Sequence, residues 1–254
     1  MKISIIIPAY NEEKRIGKTL EEYCKFFQNK KIKKVIEDFE IIVVLNACRD
    51  KTLEVVKKAE KHFKEISHLE FERAGKGFAI IGGFKDALKR DSSLIGFVDA
   101  DNATNPSACY DLIQNLGGYD GIIASRYINN ARVVPPPSLS RIIASRIFNF
   151  LVRAVLFMPY KDTQCGAKFF RREAIKEIIP LIGITKWAFD VDLLYQMRKN
   201  KFRLREYPTV WSDQNYSKIN LKAAGPQMFL AIVRLRLLNS PARGLIRLYN
   251  DYTK

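Results

Sequence analysis

Short apolar, β-branched runs alternate with charged stretches of helical period from residue 3 to residue 124. Nothing else in the chain constrains its fold as tightly. Residues 3–7 form such a run ending at Pro8, and a helix-like segment follows over 12–28. A second strand is expected at 39–45, a helix at 51–66, a short strand at 69–71 and a helix at 75–89. Residues 94–98 read as a third strong apolar strand stopping at Asp99, and 121–124 as another. Alternation of this kind predicts an α/β fold, a mostly parallel sheet with helices on both faces. Ligands of such sheets bind beyond the carboxyl ends of the strands. Those ends hold Pro8-Ala9-Tyr10-Asn11-Glu12, Asn46-Ala47-Cys48-Arg49-Asp50 and Asp99-Ala100-Asp101-Asn102, which should lie along one edge.

Beyond Arg126 the pattern changes. Pro135-Pro136-Pro137 marks an extended loop, and a helix is expected over 140–157 with Arg141, Arg146 and Arg153 among apolar residues. Further helices are expected at 187–199 and at 221–238, the latter amphipathic and basic through Arg234 and Arg236. The 254 residues suit one catalytic domain, 1–220, with a helical appendage, 221–254. With 47% hydrophobic and 28% charged residues the chain can bury a full core. Its 43 Lys+Arg against 27 Asp+Glu give a net charge of +16, which favours nucleic acid, an anionic membrane face or phosphorylated substrates. Composition alone weights a solvated surface or nucleic acid as heavily as a membrane. Cys24, Cys48, Cys109 and Cys165 form no CxxC pair, so reduced thiols in a cytosolic setting are expected and a zinc site is not. The first eight residues read as a strand and not a signal peptide. No segment reaches the ~18 uninterrupted apolar residues of a membrane span, so a soluble or peripheral protein is expected.

Asp99-Ala100-Asp101 is the central chemical feature. Along an extended chain the two carboxylates fall on one side, at the open end of a buried strand. Two oxygen donors so placed can hold a hard divalent cation that bridges phosphate oxygens. The same tripeptide can equally be a polar turn whose Asp side chains cap backbone groups.

In this context the sequence resembles the family-2 glycosyltransferases of the A-type glycosyltransferase fold. Their metal-binding DxD ends a strand after a PxYNE segment, as Pro8-Ala9-Tyr10-Asn11-Glu12 precedes Asp99-Ala100-Asp101 here, and Gly75-Lys76-Gly77 matches their turn into a helix. Ser125-Arg126-Tyr127, the stretch from Asp162 to Lys168 and Trp187-Ala188-Phe189-Asp190-Val191-Asp192 look like the dolichyl-phosphate hexose synthases. The last two are closer to the glucosyl than to the mannosyl branch. The resemblance covers about residues 1–220. It implies that Asp99, Asp101 and Gln164 ligate Mg²⁺ or Mn²⁺. It implies that Pro8, Tyr10, Glu12, Asn46, Lys76, Asp99, Ala100 and Asp101 line the donor, with Lys218 after Ser217 closing over its diphosphate. Arg126 is then expected beside the reacting phosphate, and Arg141 and Arg146 at the acceptor phosphate. The bland readings are a Gln164 that caps backbone and arginines that keep a helix face solvated. The family's Asp-Asp-Gly-Ser is replaced by Leu45-Asn46-Ala47-Cys48. Asn46 can donate to or accept from a nucleoside, but it brings no charge. A uridine donor is favoured over guanosine.

Transfer to a hydroxyl needs a general base, whereas a polyprenyl phosphate oxygen is already anionic and needs cationic positioning. His62 and His68 read as surface residues outside the motifs. Asp190 or Asp192 could serve as base for a hydroxyl acceptor. The expectation is inverting transfer of a hexose, from UDP-glucose ahead of GDP-mannose, to polyprenyl or dolichyl phosphate. The protein would lie peripherally on the cytoplasmic face of an anionic membrane, through the 140–157 and C-terminal helices. The alternatives are a transferase acting on a soluble glycan or small alcohol, and a non-catalytic nucleotide- or nucleic-acid-binding module. Against nucleic acid, there is no recognition-helix motif and no aromatic RNA-binding signature. An apolar face of the C-terminal helix could instead pack on the core or within an oligomer.

Overall fold

A computed structural model describes residues 1–183, 188–214 and 221–240. Its first four strands are β1 (Lys2–Ala9), β2 (Asp38–Asn46), β3 (Ile66–Phe71) and β4 (Leu94–Phe97). Between them run α1 (Ile16–Ile32), α2 (Thr52–His62) and α3 (Lys76–Ala87), so the expected alternation is present with ends shifted by a few residues. Next come α4 (Pro106–Gln114), β5 (Gly121–Ser125), β6 (Arg132–Val133) and α5 (Leu139–Leu156). The remainder comprises β7 (Lys168–Arg171), α6 (Arg172–Ile178), a 3₁₀ turn (Ile179–Leu181), α7 (Phe189–Lys199), β8 (Leu204–Pro208), β9 (Val210–Trp211) and α8 (Leu221–Leu238).

Seven strands form one sheet in the order β3-β2-β1-β4-β7-β5-β8, and β6 pairs with β9 in a small parallel ribbon. Every pairing in the large sheet is parallel except those of β7, which runs antiparallel to both β4 and β5. Strand period two divides the core. Ile3, Ile5 and Ile7 of β1 face one layer with Leu20 and Phe27 of α1. Ile6 and, from β2, Ile42 and Val44 face the other, with Ile80 and Phe84 of α3 and Leu193 and Leu194 of α7. The strands therefore read as nearly unbroken apolar runs, as strands covered on both faces should. Within β4, Gly96 stands where a Cβ would come within 2.2 Å of Phe169 on β7. Glycine there lets the reversed strand lie close.

The second half was less legible. β7, β8, the β6–β9 ribbon and α4 are absent from the strand and helix expectations. For α4 a signal existed: Asn105 caps it by accepting from Ala108 N at 2.9 Å, with Pro106 in the first turn. α8 lies against α5 and buries Ile232 and Leu235, while Phe229, Leu230 and Leu237 are exposed. All four cysteines are free. No helix among the described residues is long and apolar enough to cross a membrane.

Candidate active site

Three strand ends meet at one edge, and each turns away through a non-glycine residue of positive φ: Asn11 after β1 at 53°, Ala47 after β2 at 53° and Asn102 after β4 at 60°. A left-handed residue with a side chain costs about 1–2 kcal/mol, so neighbouring bonds must hold these turns. They do. Arg49 N donates to Asn11 Oδ1 at 2.7 Å, Glu12 N to Thr52 Oγ1 at 2.7 Å, and Ala47 N to Phe71 O at 2.7 Å. Thr19 Oγ1 donates to Ala100 O at 2.8 Å, fixing the backbone between the two carboxylates.

Asp99 and Asp101 lie near enough for the charge of one to act on the other, Asp99 about two-thirds and Asp101 about three-quarters covered. Lys76, at the start of α3, donates from Nζ to Asp99 Oδ1 at 2.6 Å. Burial works against the charged lysine, but Asp99 outweighs it and holds Lys76 protonated above its usual range. Burial would likewise raise Asp99, yet the Lys76 ammonium keeps that carboxyl below the usual carboxylate range. Asp101 moves the other way: burial first, then the charge of Asp99, push it up to about 6. Arg15 bridges two motifs, with Nε and NH2 each 2.7 Å from the Glu12 carboxylate and NH1 3.7 Å from Asp101 Oδ2. Of the other donor-side residues, Pro8 and Ala100 are buried and Tyr10 is exposed beyond the end of β1. Asn46 is buried, and among the described residues nothing donates to its Oδ1. A buried acceptor with no donor is rare in folded proteins and suits a ligand N–H.

The loop before β7 closes the site from the other side. Gly166 is pressed so close to Asp99 that a Cβ there would stand 1.8 Å from Asp99 Oδ2. The loop is anchored by Asn149 of α5, whose Oδ1 accepts from Thr163 N at 2.8 Å and Thr163 Oγ1 at 2.9 Å. Gln164, on this loop, has a buried Nε2 without a partner among the described residues. Among the described residues no three His, Cys, Asp or Glu side chains gather as a metal cluster. A cation here would rest on the two carboxylates, with the Gln164 amide offering its oxygen and not the unpartnered Nε2. These are hard oxygen donors of the kind Mg²⁺ and Mn²⁺ take, and the residues fit such an ion.

The three expected arginines differ. Arg126 is nearly buried and gives Asp162 a two-pronged pair, Nε–Oδ2 2.8 Å and NH2–Oδ1 2.9 Å. Burial opposes the Asp162 charge, but Arg126 keeps it below the carboxylate range. Arg141 donates from NH1 to both oxygens of Asp213 at 2.7 Å. Arg146 is exposed, with its guanidinium 4.3 Å from the centre of the Tyr127 ring. Ser217 and Lys218 lie outside the described residues. Asp190 is paired with buried Lys168 at 2.5 Å, and Asp192 accepts from Gly183 N at 2.9 Å and Gln196 Nε2 at 3.1 Å. His62 is exposed, whereas His68 is half-buried with Nδ1 2.7 Å from Glu60. A cavity of about 470 Å³, lined by Asp111, Arg132, Arg205 and Tyr207 among others, includes none of the expected site residues.

Glycosyl transferase family 2 matches this chain over residues 4–179. The chain belongs to that family. Among curated relatives, the dolichyl-phosphate beta-glucosyltransferase of Dictyostelium discoideum is 30% identical over 92% of this chain and 73% of its own length. The enzyme of that name from Drosophila melanogaster is 33% identical over 86% of this chain and 69% of its own. Glucosyl-3-phosphoglycerate synthase from Mycobacterium tuberculosis, crystallised with Mn²⁺, UDP and phosphoglyceric acid, superposes with a TM-score of 0.65 at 15% identity, over 93% of this chain and 77% of that one. TarS from S. aureus gives 0.57 at 18% identity, over 95% and 66%. These two likenesses show the fold, the A-type glycosyltransferase fold.

Within this family 2 glycosyltransferase, sequence reasoning missed Arg15, Asp162 as the partner of Arg126, and Gly166 as the residue against Asp99. Arg15 stands three residues beyond Glu12, a spacing at which a charge pair could have been looked for. The other two lie 36 and 67 residues from their partners, and only the reversal of β7 brings them in.

Proposed function

We propose that the chain transfers glucose, with inversion, from UDP-glucose to a polyprenyl or dolichyl phosphate at a membrane surface, using Mg²⁺ or Mn²⁺; GDP-mannose is the second donor to test. The observation that supports this most is the Asp99–Asp101 pair at the end of β4, clasped by Lys76 and backed by Gly166. Asp99, Asp101 and Gln164 would hold the ion, which supplies charge neutralisation at the departing nucleoside diphosphate. Lys76 adds a fixed ammonium to the same place, and Lys218 is read as a further one. The partnerless Asn46 Oδ1 suits the imide N–H of a pyrimidine base. Residues 1–220 are read as the catalytic unit and 221–254 as its appendage.

For the acceptor, what matters is which groups are already committed. Asp190 and Asp192, the carboxylates a hydroxyl acceptor would call on as base, are engaged by Lys168, Gly183 and Gln196. A phosphate acceptor needs no base, because its oxygen attacks as an anion. Arg146, beside the carboxylate-paired Arg126 and Arg141, is read as the cation that would meet such an anion. Beside them α5 exposes Leu139, Ile143, Ile147 and Phe150 at helical spacing, interleaved with Arg146 and Arg153. Apolar side chains mixed with arginines suit a helix lying in the headgroup region of an anionic, cytoplasm-facing leaflet. The names of the curated relatives point the same way.

The deciding experiment incubates purified protein with labelled nucleotide sugars, polyprenyl phosphate in vesicles, and Mg²⁺ or Mn²⁺, followed by organic extraction. Label entering the organic phase from UDP-glucose, and lost with a chelator, supports the proposal. Label that reaches soluble alcohols equally well without lipid would favour the hydroxyl-acceptor reading instead.

A further inference from the structure

Arg126 and Arg141 each face a carboxylate that already neutralises them. Arg146 differs: among the described residues it makes no ion pair, and the contact its guanidinium makes is with the Tyr127 ring at 4.3 Å. Its helix is fixed on both sides, by Arg141 on Asp213 five residues earlier and by Asn149 on Thr163 three residues later. The Tyr127 ring is fixed too. Tyr127 follows Arg126 at the end of β5; its backbone N–H donates to Ser125 Oγ at 3.3 Å, and the Arg126 guanidinium lies 5.2 Å from the centre of its ring. Arg126 in turn lies 5.1 Å from the Trp211 ring.

We infer that Tyr127 is a positioning residue that holds Arg146 so that its N–H donors meet the anionic oxygens of the acceptor. An arginine over an aromatic face uses that face for attraction and leaves its five in-plane donors for a phosphate monoester. A carboxylate partner would have consumed the same donors. A ring fixes the side chain without competing for the ligand. The inference rests on the phosphate-acceptor reading given above.

The test compares wild type, Tyr127→Leu and Tyr127→Phe with UDP-glucose and polyprenyl phosphate in vesicles. Tyr127→Leu raises KM for the lipid phosphate about tenfold, the upper range of a cation–π contact, with kcat and the donor KM within about twofold. Tyr127→Phe keeps the ring and restores the acceptor KM. In an Arg146→Ala background Tyr127→Leu adds nothing further. An unchanged acceptor KM in Tyr127→Leu, or additive effects of the two substitutions, overturns the inference. A second readout is independent of turnover: the NMR signal of Arg146 Nε–H, assigned by its loss in Arg146→Ala, titrated with citronellyl phosphate. Wild type responds, and Tyr127→Leu responds at about tenfold higher ligand. If wild type glucosylates no lipid phosphate, the acceptor reading falls and this titration decides the role of Tyr127: a response weakened in Tyr127→Leu supports it, while no response or equal responses overturn it.

Discussion

The edge proposed to hold the donor and the flank proposed to receive the acceptor in this glycosyltransferase are built in opposite ways. At the donor edge the polar groups answer one another at short range, Lys76 to Asp99 and Arg15 to Glu12 and Asp101, above strands whose apolar side chains are wholly buried. Along α5 the order is inverted: Ile147 is 56% and Phe150 65% exposed, and arginines stand among them. The first arrangement suits a ligand that arrives dissolved, and the second a ligand that brings its own apolar phase. Charge is concentrated in one region and surface in the other.

That contrast can be broken in order of expected effect. Asp101→Ala should remove metal-dependent donor binding and lower kcat/KM about a thousandfold, roughly 4 kcal/mol. Titration with UDP and Mn²⁺ checks it, and unchanged affinity would refute Asp101 as a ligand. Lys168→Met leaves Asp190 buried without its partner, so unfolding should become easier by about 3 kcal/mol in thermal melts. A stability equal to wild type would mean that the pair contributes little to joining β7 and α7. Ile147→Glu combined with Phe150→Glu should weaken binding to anionic vesicles at least about tenfold. Because both side chains are exposed, Tm should hardly move; vesicle binding as strong as wild type removes α5 from the membrane contact. Arg146→Ala should raise KM for lipid phosphate about tenfold and leave nucleotide affinity alone. Equal loss of donor affinity would place Arg146 on the wrong side of the comparison. His62→Ala, on the exposed end of α2, should change stability by less than about 0.5 kcal/mol and leave transfer intact.

The same division shows in what the sequence made legible. β1, β2 and β4 are apolar on both faces, so composition alone marks them, and Asp99 and Asp101 follow from where β4 stops. Lys76 was reachable only through the resemblance of Gly75-Lys76-Gly77 to the family's turn into a helix. β7 is four residues opening on a lysine, and β8, Leu-Arg-Glu-Tyr-Pro, is only half-buried, so neither has the period or composition of a core strand. The pairs of Arg126 with Asp162 and Arg141 with Asp213 span 36 and 72 residues. Local pattern holds no information at that range. The arginines could be picked out as candidates, but not the carboxylates that engage two of them, nor the ring beneath the third.

The direction of β7 has a consequence for how such a protein can vary. In a parallel strand the residues reaching the ligand edge come after it, and lengthening them pushes against the next helix. In β7 they come before it, at the end of the long excursion from residue 134 to 161. That excursion can grow, shrink or change its exposed apolar face while the pairing of Lys168 with Phe97 keeps Gly166 against Asp99. On the proposed function, running one strand backwards would let acceptor preference change without disturbing the donor chemistry.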